Sequence, residues 1–210
     1  MSEVIAQLSV SLDGYLAGPE SGREHPLGIG GERLHDWVFG LRSWRAGHDL
    51  EGGTTGPVDD LMAEWIERPG AVVMGHGMFI TGETPWGDSP PFHTPVYVVT
   101  HHPRESVPKA GGTTYHFVTE GPEHALSLAR EAAGDRDVSL AGGADLVQQF
   151  IRAGLLDELW LHIAPVFLGG GRRLFDHLGA VGAGGEKPVA WRKTQVLDSP
   201  EATHIRLRPV

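Results

Sequence analysis

Three short stretches of this chain set glycine, small and polar residues at the ends of apolar runs. They are Val72-Val73-Met74-Gly75-His76-Gly77-Met78, Val98-Val99-Thr100-His101-His102-Pro103-Arg104 and Leu140-Ala141-Gly142-Gly143-Ala144-Asp145. The chemistry they suit is anion binding. Glycine has no Cβ, so a polyanion can approach the backbone. A helix that starts at such a point turns free N–H groups and its positive dipole end toward that anion. His101, His102 and Arg104 add groups that could meet a phosphate. In an open parallel sheet the carboxyl ends of strands line the ligand crevice, so three such ends could share one elongated ligand. Each stretch also reads as a tight turn with glycine for packing only. Neither GxGxxG nor GxxxxGK[ST] occurs, so the dinucleotide idea has no Rossmann or P-loop fingerprint behind it.

The elements that must position these residues follow from periodicity. Val4, Ala6, Leu8, Val10 and Leu12 alternate with Gln7, Ser9 and Ser11, which marks a strand that Asp13-Gly14 ends. Leu34, Trp37, Val38 and Leu41 form one face of a short amphipathic helix. A helix is predicted over 58–68, between Pro57 and Pro69-Gly70. Strands are predicted at 71–74, 96–100, 115–118, 138–141 and 158–167, and helices at 122–133 and 144–153. Residues 189–198 and 203–209 read as a C-terminal hairpin. The strand at 158–167 is apolar on both sides, with Leu159, Leu161 and Ile163 against Trp160 and Ala164. Such a strand is central or lies at an interface. The fold class is α/β, with a mostly parallel sheet of about eight strands, about four helices and an antiparallel ending. The 210 residues fit one domain, 1–210, with an insertion or lid at about 19–57.

Composition narrows the function. A net charge of −10 argues against a nucleic-acid partner. The absence of Cys excludes disulfides and thiolate metal sites. Twelve His are present, but without HExxH or a clustered ligand spacing, so no metal is expected. There is no apolar run of membrane-spanning length and no basic stretch resembling a signal peptide at the start. The expectation is a cytoplasmic protein with no membrane partner.

Read in order, Ser11-Leu12-Asp13-Gly14, Val73-Met74-Gly75, Val98-Val99-Thr100, Ala141-Gly142-Gly143-Ala144, Gly154-Leu155-Leu156-Asp157-Glu158-Leu159 and the run from Ala164 through Gly171 carry a family likeness. The chain resembles the dihydrofolate reductase superfamily. Within it, the chain is similar to the reductase domain of the bifunctional riboflavin-biosynthesis deaminase-reductase and its stand-alone relatives. The likeness covers most of the chain outside 19–57. It implies a three-layer dihydrofolate reductase-like fold with helices flanking the sheet, NADPH as hydride donor and a homodimer near strand 158–167 and the hairpin. It places the nicotinamide near Asp13-Gly14. It places the pyrophosphate at Gly75, His76, Gly77 and Met78 and at Gly142, Gly143, Ala144 and Asp145. The adenosine 2′-phosphate falls near Thr100, His101 and His102.

Departures from the family pattern bear on cofactor and substrate. The superfamily's base after Met-Gly, and its Thr two residues later, are His76 and Met78 here. That weakens one charge-assisted contact and one hydroxyl contact. It keeps open a non-catalytic ligand-binding relative of the same fold. The riboflavin-pathway reductase reads Glu-Gly-Gly where this chain has Ala141-Gly142-Gly143, and commonly Lys where it has Tyr15. Both changes remove charges that would meet a phosphoribosyl group. The expected activity is therefore NAD(P)H-dependent reduction of a small, planar heterocyclic or conjugated substrate. Reduction of 5-amino-6-(5-phosphoribosylamino)uracil is the alternative.

In hydride transfer the protein supplies orientation, water exclusion and a proton. Asp13, Tyr15 and Asp59 are the candidate catalytic residues, with His35 and a bound water as further proton donors. Asp59 stands sixteen residues before Gly75, the spacing of the dihydrofolate reductase acid. It also falls in the first turn of its predicted helix, where an acid is favoured by the dipole alone. His35, Trp37 and Trp86 are the candidate substrate contacts. Trp37 and Trp44 either lid the site or pack the insertion onto the core, and Trp86 is pocket wall or loop anchor.

Overall fold

The computed structural model describes residues 2–178 and 189–210. Strand β1 (Val4–Ser11) turns into β2 (Tyr15–Ala17). The insertion follows, with a 3-10 turn (Gly31–His35) and two short helices, α1 (Asp36–Phe39) and α2 (Arg42–Ala46). Next come α3 (Pro57–Glu67), β3 (Pro69–Gly75), α4 (His76–Trp86), β4 (Pro95–Val99), β5 (Val107–Pro108) and β6 (Thr114–Val118). Then follow α5 (Pro122–Ala133), β7 (Asp137–Gly142), α6 (Ala144–Arg152), β8 (Glu158–Ala164) and β9 (Arg172–Arg173). The hairpin of β10 (Trp191–Asp198) and β11 (Thr203–Pro209) closes the chain.

Nine strands form one sheet in the order β10-β11-β8-β1-β7-β3-β4-β6-β5, and β2 and β9 make a small ribbon. From β8 to β6 every neighbouring pair is parallel, while the hairpin edge and β5 are antiparallel. The count exceeds the expected eight because β5 is a two-residue addition at one edge. β8 pairs with β1 on one side and β11 on the other. Its two-sided apolar pattern therefore reflects a place inside the sheet. It ends at Ala164 rather than at 167, because Pro165 follows and Phe167 is 75% exposed.

Both sheet faces are covered. Val4, Ala6, Leu8 and Val10 of β1 pack with Leu126, Val147 and Phe150 of α5 and α6. On the opposite face Ile5 and Trp160 meet Leu61 and Trp65 of α3. The insertion docks through Leu34, Trp37, Val38 and Leu41, the four residues whose spacing predicts a buried stripe. Helix α4 is absent from the sequence reading, because Gly77, Gly82 and Pro85 all disfavour a helix. Packing overrides that preference. Phe79 is buried against Val72, Met74, Val96, Val98 and Tyr115. A Cβ at Gly82 would collide with the Trp86 ring, so glycine lets that ring fold back over the helix.

Charged groups cluster where β8 begins. Glu158 is fully buried and holds Arg68 at 2.8 Å, with Arg206 and Arg208 on its other oxygen. Arg68 also reaches Asp137 at 2.9 Å, and Arg208 reaches Glu3 at 2.6 Å. These side chains tie β1, β7, β8, β11 and the end of α3 together.

Candidate functional site

The carboxyl ends of β3, β4 and β7, the middle of β1 and the insertion enclose an elongated cleft of about 580 Å³. The three stretches singled out by sequence meet there. Gly75, His76, Gly77, Met78, Thr100, His101, His102, Gly142, Gly143, Ala144 and Asp145 all line it, as does His35.

Backbone geometry explains the glycines. Gly142 has φ 129°, a conformation that side chains rarely adopt. A Cβ at Gly75 would touch the Gly143 nitrogen at 3.5 Å, so two strand ends approach closely. Gly143 is different: a Cβ there would meet nothing within 4 Å. Gly75 caps α4 and Gly143 caps α6, and neither end has a side-chain cap. Two helix N-termini thus lie at the cleft with no side-chain cap among the described residues, which leaves first-turn N–H groups available to a ligand.

At the far end the His76 and His102 ring centroids are 5.2 Å apart. Burial, then His102 and Arg23, hold the His76 imidazole below its ordinary value. Thr100 is buried, and its hydroxyl accepts the His102 N–H at 3.0 Å, which sets the shape of this turn.

The structure redistributes the other candidates. Asp13 does not line the cleft. Its carboxylate accepts the Ser11 hydroxyl at 2.6 Å and the N–H groups of Gly169 at 2.8 Å and Leu168 at 3.2 Å. The Ser11 hydroxyl foremost, with those amides, pulls Asp13 down to about 2. It is therefore ionised at neutral pH, has no proton to give and serves as a turn anchor. Gly14, with φ 84°, belongs to the same turn outside the cleft. Tyr15 lies under the Arg173 guanidinium at 4.6 Å, also outside the cleft, while its neighbours Leu16 and Ala17 line it.

Asp59 is buried beneath the insertion. It accepts the Ser43 N–H at 2.7 Å and lies 3.7 Å from Arg42, so it caps the start of α2 and does not reach the cleft. Capping is thus what the structure shows for this acid, although on α2 rather than on its own helix. Trp37 packs the insertion onto the core: its indole donates to Ser9 Oγ at 3.0 Å and its ring lies 4.3 Å from that of His162. Trp86 meets Phe92 edge-on at 4.9 Å, away from the cleft. Neither Trp37 nor Trp86 lines the cleft, and both side chains pack on aromatic neighbours. Burial lowers the His35 pKa, which keeps that ring neutral near pH 7.

Gln7 and Ser9 line the cleft and carry no role in the sequence reading. Their signal was the polar side of the β1 alternation, which in an exposed sheet would simply face water. Here that side meets a buried network. His162 Nδ1 lies 2.8 Å from His204 Nδ1, and both rings are essentially inaccessible.

Burial foremost lowers the pKa of both histidines. The unfolded chain then binds more protons than the native one below about pH 6.5, so stability is full above that value and falls as pH drops through it. We expect the urea midpoint to decrease between about pH 7 and pH 5.5 and this slope to flatten in His204→Phe. A native-protein midpoint that stays constant over that window would show the pair is not held neutral.

A sequence profile of the RibD C-terminal domain matches residues 2–205. A structure from Shewanella sp. PV-4, described provisionally as a riboflavin biosynthesis protein, superposes with TM-score 0.66 at 20% identity, covering 99% of each chain. The Thermotoga maritima diaminohydroxyphosphoribosylaminopyrimidine deaminase/5-amino-6-(5-phosphoribosylamino)uracil reductase gives TM-score 0.62 at 15% identity, over 100% of this chain and 57% of that one. Enterococcus faecalis dihydrofolate reductase, complexed with NADP(H) and RAB-propyl, gives 0.54 at 12% identity, over 99% and 96%. The Bacillus subtilis protein YyaP, of uncharacterised function, is 52% identical over 40 residues, 19% of this chain and 21% of that protein. The chain therefore spans little more than half of the bifunctional enzyme, and the YyaP match about a fifth of that protein.

Proposed function

Because this chain belongs to the RibD C-terminal domain family, we propose that it is a reductase that uses NADPH to reduce a small, planar heterocyclic or conjugated substrate. The observation that carries this reading is the pair of uncapped helix N-termini, α4 and α6, at one elongated cleft with open space over Gly143. That donor set fits a dinucleotide diphosphate. Gly75–Met78 and Gly142–Asp145 would hold the diphosphate, with His76 and His102 toward the 2′-phosphate. When bound, the cofactor supplies the hydride.

The chain's own residues bind, orient and exclude water. Leu27 and Pro26 of the insertion line the cleft together with Gln7, Ser9 and His35, which would face the substrate. The completing proton comes from water, since Asp13 is ionised, Asp59 is turned away and His35 is neutral near pH 7. Arg172 is the single arginine among the lining residues, and Ala141 stands where the riboflavin-pathway enzyme carries Glu. Both points favour a substrate other than the phosphoribosyl pyrimidine.

NADPH at about 100 times its Kd is expected to stabilise the protein by about 2.7 kcal/mol, a melting shift of about 5–10 °C at this size. A protein that shows no shift with either NADPH or NADH is not a nicotinamide-dependent reductase. The proposal includes a homodimer through the C-terminal hairpin, whose outer strand β10 is largely exposed. Sedimentation that finds only monomer at micromolar concentration would remove that part.

A further inference from the structure

Hydrogen-bond accounting behind Gln7 and Ser9 fixes what they offer the cleft. Gln7 Oε1 lies 3.2 Å from His162 Nε2, the two Nδ1 atoms of His162 and His204 are 2.8 Å apart, and His204 Nε2 lies 3.5 Å from Ser199 Oγ. A neutral imidazole has one N–H and one acceptor nitrogen. The chain of contacts must therefore run in a single direction, with every link donating toward Gln7 or every link donating away from it. The 3.5 Å contact at the Ser199 end is too long to impose a direction.

Met62 favours one at the other end. Its sulfur stands 4.0 Å from the Gln7 amide nitrogen. A thioether accepts weakly and has nothing to donate. The amide nitrogen lies on the sulfur side, and the amide oxygen faces His162 at 3.2 Å. His162 then carries its proton on Nε2 and donates to Gln7, while His204 carries its proton on Nδ1 and donates to His162. Gln7 is left with N–H groups that have no oxygen or nitrogen acceptor among the described residues. Ser9 is set in the same sense. Its oxygen accepts the Trp37 indole N–H at 3.0 Å, and an indole nitrogen can only donate. The hydroxyl hydrogen of Ser9 and one lone pair of its oxygen remain for the cleft.

We propose that Gln7 and Ser9 form a donor-bearing wall that selects a substrate whose inner end is an uncharged carbonyl or ring-nitrogen acceptor, and that the buried His162–His204 pair positions Gln7 in this sense. The occupant's identity as a substrate rests on the reductase reading, whereas the direction of the hydrogen-bond chain does not. Arg172, on the exposed strand β9, also lines the cleft, so an anionic group, where a substrate has one, belongs beside Arg172 and not at this wall. A ligand that brings only donors to the wall leaves buried donors facing each other, which costs more than a missing contact.

The test has two arms. In the first, long-range proton–nitrogen correlation spectra of the ¹⁵N-labelled protein at about pH 8 read the imidazole tautomers. The expected result is an Nε2–H tautomer for His162 and an Nδ1–H tautomer for His204. The reverse pair would turn the Gln7 oxygen toward the cleft and overturn the proposal, whatever the cofactor result. In the second, cyclohex-2-en-1-one and aniline are titrated into protein saturated with NADP⁺. The enone is expected to bind in preference to aniline, and Gln7→Glu to weaken the enone about tenfold, roughly one neutral hydrogen bond. Equal binding of the two probes, or an unchanged enone affinity in folded Gln7→Glu, would overturn the donor wall. Should NADP⁺ itself fail to bind, the reductase reading falls, and the tautomers alone decide the wall.

Discussion

Gly143→Val should abolish NADPH binding while leaving the fold in place. Gly143 sits at φ −80° and ψ −166°, extended backbone that any residue adopts. Its added Cβ would meet nothing within 4 Å, so the side chain has nowhere to press except into the cleft. That space lies at the N-terminus of α6 and beside the Gly75 end of β3, where the diphosphate is proposed to lie. Displacing a dianion from two helix N-termini by even 1 Å should lower affinity by at least about 100-fold. Fluorescence titration with NADPH reads the loss, and an unchanged melting temperature confirms the fold. Gly142→Ala is the contrasting variant. Its φ of 129° and the Met78 sulfur 3.3 Å from the new Cβ should cost stability instead, about 1–3 kcal/mol. A folded Gly143→Val protein with native NADPH affinity would remove the diphosphate assignment.

The second large effect is on folding. Glu158→Gln should destabilise the protein by about 3–5 kcal/mol, which at this chain length is a melting decrease of about 6–20 °C. The carboxylate is fully buried and is the common partner of Arg68, Arg206 and Arg208. Burial raises its pKa, but the hydrogen bonds and charges of Arg206 and Arg68 outweigh that, so the net direction is down. Neutralising it leaves the partly buried Arg206 without a carboxylate partner among the described residues and takes one partner from Arg68 and one from Arg208. Because this cluster lies at the start of β8, away from the carboxyl-end cleft, NADPH affinity of the folded variant should be native. A loss under about 1 kcal/mol in urea unfolding would mean that Glu3 and Asp137 suffice to hold the arginines.

Much of the fold was legible because it rests on local order. The alternation of β1, the 3.6-residue stripes of α3, α5 and α6 and the turn between β10 and β11 all repeat within a few residues, and each element appears where the pattern puts it. The glycine-rich strand ends were legible for the same reason, and the sheet order brings all three to one cleft. α4 was not legible, because its glycines and proline oppose a helix locally and only the packing of Phe79 against β3, β4 and β6 outweighs them.

Side-chain roles were the least legible. Asp13 looked like a proton donor, but Gly169, 156 residues away, holds it ionised. Asp59 had the spacing of an acid for the substrate but read more readily as a first-turn helix acid, and Ser43 in the insertion takes it up as a cap. Gln7 and Ser9 looked like the wet side of a strand until His162, 155 residues on from Gln7, and Trp37 closed over them. The sequence alone determined the layered α/β order and the three strand ends that make a cleft. Tertiary structure decided which polar groups reach that cleft with free hydrogens, since a group's partners, and therefore what it has left to offer, lie far beyond the reach of any local pattern.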